Sequence, residues 1–211
     1  MNVLEQLGKN LLVPVIKLES ADSATPLAET LLASGLPVAE ITFRTAAAGA
    51  AIRSISRDVS DVLLGAGTVL TVDQVKEAMD AGAMFIVTPG FNPAVVDYCV
   101  EQRIPITPGI NNPTGVEAAL ARGLSVVKFF PAEASGGVKM LKAMSAPYAD
   151  VRYVPTGGVA AANLAEYLSV PTVLAVGGSW MVPADKIKAG DFEAVGALVR
   201  EAVSLARSLR P

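Results

Sequence analysis

Lys128 stands inside "SVVKFFPAE" (125–133), an apolar run that reads as a buried strand. Lysine is among the residues least often fully buried, and loss of water disfavours its ammonium form. A lysine without its extra proton is a nucleophile that can form an imine with a carbonyl compound. The plainer alternative is a strand-end lysine that lays its stem on the core and lifts its charge into water. Two further ionisable residues bear on the choice. In "VAEITFR" (38–44), side chains alternate across a strand, so Val38, Glu40, Thr42 and Arg44 share one face while Ala39, Ile41 and Phe43 share the other. The same alternation in "VVKFF" separates Val127 and Phe129 from Lys128 and Phe130. The apolar sets suit a layer of helices, which leaves Glu40, Arg44, Lys128 and Phe130 facing one interior. Glu40 and Arg44 could form a purely structural ion pair there. With a lysine beside them they also supply what imine chemistry on a keto acid needs. The amine attacks the carbonyl, the carboxylate moves protons, and the arginine holds the substrate carboxylate through a forked pair of hydrogen bonds.

The remaining composition narrows the chemistry. The chain has no histidine, which removes imidazole metal ligands, Ser-His and Cys-His nucleophile pairs and the usual general base. No metal site and no cofactor is expected. Its one cysteine, Cys99, cannot form an internal disulfide and reads as a small core residue. Seventeen basic residues against 20 acidic ones give a net charge of -3 with no basic run, which argues against a nucleic-acid partner. The apolar stretches break well before the roughly 18 residues of a membrane span. The N-terminus "MNVLEQLGKN" does not resemble a signal peptide, so a cytoplasmic location is expected.

These side chains need elements to position them. At 211 residues and a mean hydropathy of +0.47, the chain can bury a large core as one α/β domain, 1–211. Eight strand candidates lie at 11–18, 38–43, 61–67, 84–90, 104–109, 125–132, 151–158 and 172–179, with amphipathic stretches such as "TVDQVKEAMDAGA" between them. Eight strand–helix units without a linker predict a single (β/α)8 TIM barrel, with an extra N-terminal helix (2–9) capping its floor; an open doubly wound sheet is the structural alternative. A barrel places function at the C-terminal strand ends. There the sequence reads "EITFRT", "GAGT", "TPG", "TPG", "KFFPAE", "PTGG" and "GGSW". The two Gly-rich turns, after the seventh and eighth strands, lie where barrels often bind phosphate through backbone N–H groups.

The ordered set "EITFRT", "GAGTVL", "TPGF", "KFFPAEASGGV", "PTGGV" and "GGSWMVPAD" closely resembles the bacterial 2-keto-3-deoxy-6-phosphogluconate (KDPG/KHG) aldolases, from about Val13 to the C-terminal helix. The resemblance implies a homotrimer of (β/α)8 barrels that cleaves a phosphorylated keto acid to pyruvate and glyceraldehyde 3-phosphate through a Schiff base, without metal. It assigns the imine to Lys128 and the general acid/base to Glu40. Arg44, Thr68 and Pro89 become substrate contacts, and Gly157, Gly158, Gly178 and Ser179 the phosphate side. "AEITF" stands where the family has "LEVTL", and "GINNPTG" departs from its pattern. Two other readings share parts of this pattern: a phosphosugar isomerase or epimerase barrel that does not need the lysine, and a non-catalytic ligand-binding barrel or trimeric scaffold. Trp180 and Met79, Met140 and Met144 read as packing residues.

Overall fold

The structure, a computed structural model, describes residues 3–210, so residue 2 of the expected leading helix lies outside the described residues. The chain folds as an α/β protein whose strands all pair in parallel and curl around a shared interior. Six strands form one sheet: β1 (Leu12–Ile16), β2 (Val38–Thr42), β3 (Leu63–Gly67), β4 (Phe85–Val87), β5 (Ile106–Thr107) and β9 (Val176–Gly178), in the order β5-β4-β3-β2-β1-β9. Three more, β6 (Gly109–Ile110), β7 (Val126–Phe129) and β8 (Arg152–Pro155), form a second sheet.

This differs from the expected eight strands in one closed barrel. The ninth strand arises where "IPITPG" breaks at Pro108, which has no N–H to give to a ladder. Its carbonyl still accepts from Lys128 N at 2.9 Å, so β5 and β6 are separated by a single residue that keeps contact with β7. At the other seam, isolated parallel bridges join Tyr153 to Val173 and Thr156 to Gly177. The eighth candidate is also shorter than expected, because only Val176–Gly178 of 172–179 are in a strand.

Helices follow the strands and cover their outward faces. The Asn-Pro pairs make two of the starts: Asn92 accepts from Ala94 N ahead of α5 (Pro93–Glu101), and Asn112 accepts from Gly115 N ahead of α6 (Pro113–Leu120). Ala39 and Ile41 of β2, and Val127 and Phe129 of β7, are fully buried, as the alternation of their strands requires for residues under a helix layer. Cys99 is buried on α5, where burial pushes its thiol up to about 11 and keeps it protonated. The leading helix, α1 (Val3–Asn10), sends Leu7 into the interior beside Val13 and Phe85. That apolar floor leaves the polar residues to the opposite, C-terminal end.

Candidate active site

Lys128 and Glu40 meet in the interior. Their side chains line one cavity with Phe85, Thr107 and Thr156, and Lys128 Nζ lies 3.4 Å from Glu40 Oε1. Only 5% of Lys128 and 3% of Glu40 is exposed, so the lysine does not reach water along its stem. Two local features bring them together. On β7, Lys128 pairs with Gly109 on one side and Val154 on the other, so its side chain is held between neighbours on both flanks. On β2, Glu40 crosses the space left by Gly67 of β3, where a Cβ would fall 2.7 Å from both Cγ and Cδ of Glu40. A larger residue at 67 would occupy the place of the carboxylate.

Phe130 follows on the same face as Lys128, with Nζ 5.2 Å from its ring centroid, within range of a cation–π contact. Its ring also approaches the Gly157 turn, where a Cβ would stand 3.2 Å away. With Pro89, Gly90, Phe91, Gly109 and Asn111, Phe130 borders a cleft of about 540 Å³ beside the mouth. The Pro89–Gly90 turn is stitched down by Thr88, whose hydroxyl donates to Gly90 O at 2.8 Å and accepts from Gly109 N at 3.3 Å.

Arg44 lies just past the end of β2, two steps beyond Glu40 on the same face, and is oriented by the residue between them, which was not among the expected site residues. Thr42 Oγ1 donates to Ile16 O at 2.7 Å, which commits its proton, and then accepts from Arg44 Nε at 3.1 Å. Arg44 itself is exposed. The signal was available, since Thr42 shares the inward face with Glu40. Thr68 follows β3 with φ of 55°, a left-handed conformation rare for a β-branched residue. Gly178 ends β9 under the Trp180 ring, and Ser179 beyond it is exposed. Thus Lys128 reaches both Glu40 and Phe130, whereas Arg44, Thr68 and Ser179 follow the ends of their strands; among the described residues no hydrogen bond joins those three to Lys128 or Glu40.

The KDPG and KHG aldolase family matches residues 3–198. The chain belongs to that family. The 2-dehydro-3-deoxy-phosphogluconate aldolase of Treponema pallidum (strain Nichols) is 51% identical over 97% of this chain and 98% of its own length. Among solved structures, the KDPG aldolase of Legionella pneumophila, with pyruvate captured as a covalent carbinolamine, superposes with a TM-score of 0.92 at 36% identity, covering 95% of this chain and 98% of that one. The 2-keto-3-deoxy-6-phosphogluconate aldolase of Zymomonas mobilis ZM4, solved with 3-phosphoglycerate, gives 0.90 at 38% identity, covering 96% and 95%. The aldolase resemblance of the motifs therefore extends through nearly the whole chain. Among the described residues no group of three His, Cys, Asp or Glu side chains is placed to hold a metal, and no helix is long and apolar enough to cross a membrane.

Proposed function

We propose that this chain is a class I aldolase that cleaves 2-keto-3-deoxy-6-phosphogluconate to pyruvate and glyceraldehyde 3-phosphate. The observation that carries this reading is the buried Lys128–Glu40 contact, 3.4 Å long, in the interior enclosed by the strands of an aldolase-family chain. Lys128, as the amine, adds to the C2 ketone to give a carbinolamine, which loses water to become an iminium ion. Phe130 stands where it can stabilise that cation. Glu40, through a bound water, takes the proton of the C4 hydroxyl. The C3–C4 electron pair flows into the iminium, glyceraldehyde 3-phosphate leaves, and an enamine remains. Glu40 returns the proton to C3, and hydrolysis frees pyruvate and Lys128. Such proton transfers contribute about 10²- to 10⁴-fold in rate.

In this reading Arg44 and Thr68 hold the C1 carboxylate, Pro89 packs on the pyruvyl half, and Gly157, Gly158, Gly178 and Ser179 receive the phosphate. The family's description supports 4-hydroxy-2-ketoglutarate as a second substrate, since it carries the same four atoms from carboxylate to C4 hydroxyl. The one-residue break at Pro108 and the bridges between β8 and β9 support a closed (β/α)8 ring built from one domain, 1–211. The homotrimer implied by the resemblance and the cytoplasmic location expected from the sequence belong to the same proposal; light scattering and cell fractionation test them.

The deciding experiment is borohydride reduction in the presence of pyruvate. One reduced pyruvyl unit is expected on the peptide containing Lys128, and none in Lys128→Arg, whose guanidinium stays protonated. Label on another lysine, or turnover by Lys128→Arg, would overturn the assignment and favour an isomerase-type barrel.

A further inference from the structure

The Gly157–Gly158 turn is gripped from behind, and the grip fixes what it can show to a ligand. Gly157 O accepts from Glu133 N at 3.0 Å, and Gly158 O accepts from Asn163 Nδ2 at 3.2 Å. In a trans peptide the carbonyl and the next N–H point in opposite directions. The N–H groups of Gly158 and Val159 therefore each point away from the donor that holds the carbonyl of the same peptide. The two glycines adopt φ of 94° and 81°, which a side chain would strain.

Directly behind the turn lies a negative charge. A Cβ on Gly158 would fall 2.6 Å from both Cβ and Cγ of Glu133, so the Glu133 carboxylate leaves its backbone against the turn. The Tyr167 hydroxyl donates to Glu133 Oε1. Tyr167 is fully buried on α8 (Leu164–Leu168), four residues after Asn163, so one short segment supplies both grips. A Cβ on Gly137, whose φ of 59° already disfavours a side chain, would crowd Glu133 Oε1 at 3.2 Å and touch Tyr167 Oη at 3.5 Å. Burial and the neighbouring carboxylate hold the Tyr167 phenol far above its ordinary range, so it remains a donor at every physiological pH.

We propose that Tyr167 is a positioning residue for phosphate recognition: it pins the Glu133 carboxylate behind the Gly157–Gly158 turn, so that a phosphorylated substrate meets N–H groups there and not a like charge. This rests on the reading of that turn as the phosphate side. Released from Tyr167, Glu133 can swing toward the anion, and an exposed like-charge contact is worth up to about fivefold in affinity.

The test uses the full chain. Tyr167→Phe raises KM for 2-keto-3-deoxy-6-phosphogluconate and the inhibition constant of inorganic phosphate about fivefold, while kcat, borohydride trapping of pyruvate and deuterium exchange into its methyl group stay close to wild type. Adding Glu133→Gln to Tyr167→Phe restores both constants, because the charge is gone. Unchanged constants in Tyr167→Phe, no rescue in the double variant, or an equal loss of methyl exchange would each overturn the proposal. Gly158→Ala, strained and colliding with Glu133, separates the two levels. If it weakens phosphate binding and Tyr167→Phe does not, the pinning role alone fails. If Gly158→Ala leaves phosphate binding intact, the turn is not the phosphate side and both readings fall.

Discussion

Gly67→Ala should disable catalysis without abolishing imine formation. A Cβ at 67 would lie 2.7 Å from Cγ and Cδ of Glu40 and closer still to Oε1. Carbon atoms in contact sit about 3.5–4.0 Å apart, so the carboxylate must retreat by about 1 Å. Gly67 ends β3 in register with Thr42, and its φ is not in the left-handed region, so the backbone accepts alanine and the clash falls on the Glu40 side chain. A displacement of about 1 Å in a reacting group costs about 10²-fold in rate, or about 2.7 kcal/mol of barrier. Steady-state pyruvate release should show kcat reduced by that factor, and proton NMR should show slowed deuterium entry into the pyruvate methyl group, while borohydride still traps pyruvate on Lys128. Glu40→Gln should lose a similar about 10²-fold by removing the base itself. Because both changes act through one carboxylate, the double variant should lose little more than either single one. A Gly67→Ala enzyme within about threefold of wild type, or losses that multiply to about 10⁴-fold in the double variant, would refute the reasoning.

Thr42→Val removes the acceptor of Arg44 Nε while keeping the shape of the side chain, and should raise KM for keto acids about three- to tenfold with kcat largely retained, as read by steady-state kinetics. Tyr153→Phe should stabilise the fold, since Tyr153 Oη is buried without a hydrogen-bond partner among the described residues; the gain of about 1 kcal/mol corresponds to a Tm rise of about 2–4 °C by calorimetry. Burial also holds the Tyr153 phenol at about 12 against 10.0 when free. The unfolded chain therefore releases that proton first, and stability is lost as pH rises from about 10 through 12. Tyr153→Phe should flatten that alkaline limb. Turnover should be unchanged after dialysis against EDTA, because the chain lacks histidine and the described residues offer no ligand cluster; loss of activity restored by a divalent ion would point to a metal-dependent aldolase.

The pairing of Lys128 with Glu40 was legible because it depends on parity alone. One residue of slip in either strand would have turned the side chain under a helix, and Ile41 and Phe129 show the burial of that other face. The break at Pro108 was less legible, although its cause is local: "IPITPG" carries two prolines, and the second interrupts a ladder that the surrounding residues otherwise favour. Strand ends were over-extended for a different reason. Pairing stops where the neighbouring strand stops, as at Val87 of β4 and Val176 of β9, and a single sequence does not state where its neighbour ends. The Glu133–Tyr167 contact was not legible at all. Thirty-four residues separate the partners, and either side chain alone reads as ordinary helix composition.

The interior also shows that glycines of the "GAGT" and "VGGSW" motifs make room for side chains of neighbouring strands. An interior filled by side chains from several strands needs small residues opposite large ones. Gly65 lies opposite the Phe85 ring, Gly67 opposite Glu40, and Gly177 opposite Thr156, all of them residues that share the cavity with Lys128. Each glycine therefore sets how far a neighbouring strand's side chain reaches across that cavity. In the proposed mechanism the acting pair is Lys128 and Glu40, and the place of the Glu40 carboxylate depends on what Gly67 of the adjacent strand leaves empty. Packing and catalysis are then one constraint at these positions. A side chain added at Gly67 or Gly177 would collide with Glu40 or Thr156 and be expected to lower kcat, whereas the same change at the rim glycine Gly90, where a Cβ would meet nothing within 4 Å, should leave the Lys128–Glu40 distance as it is.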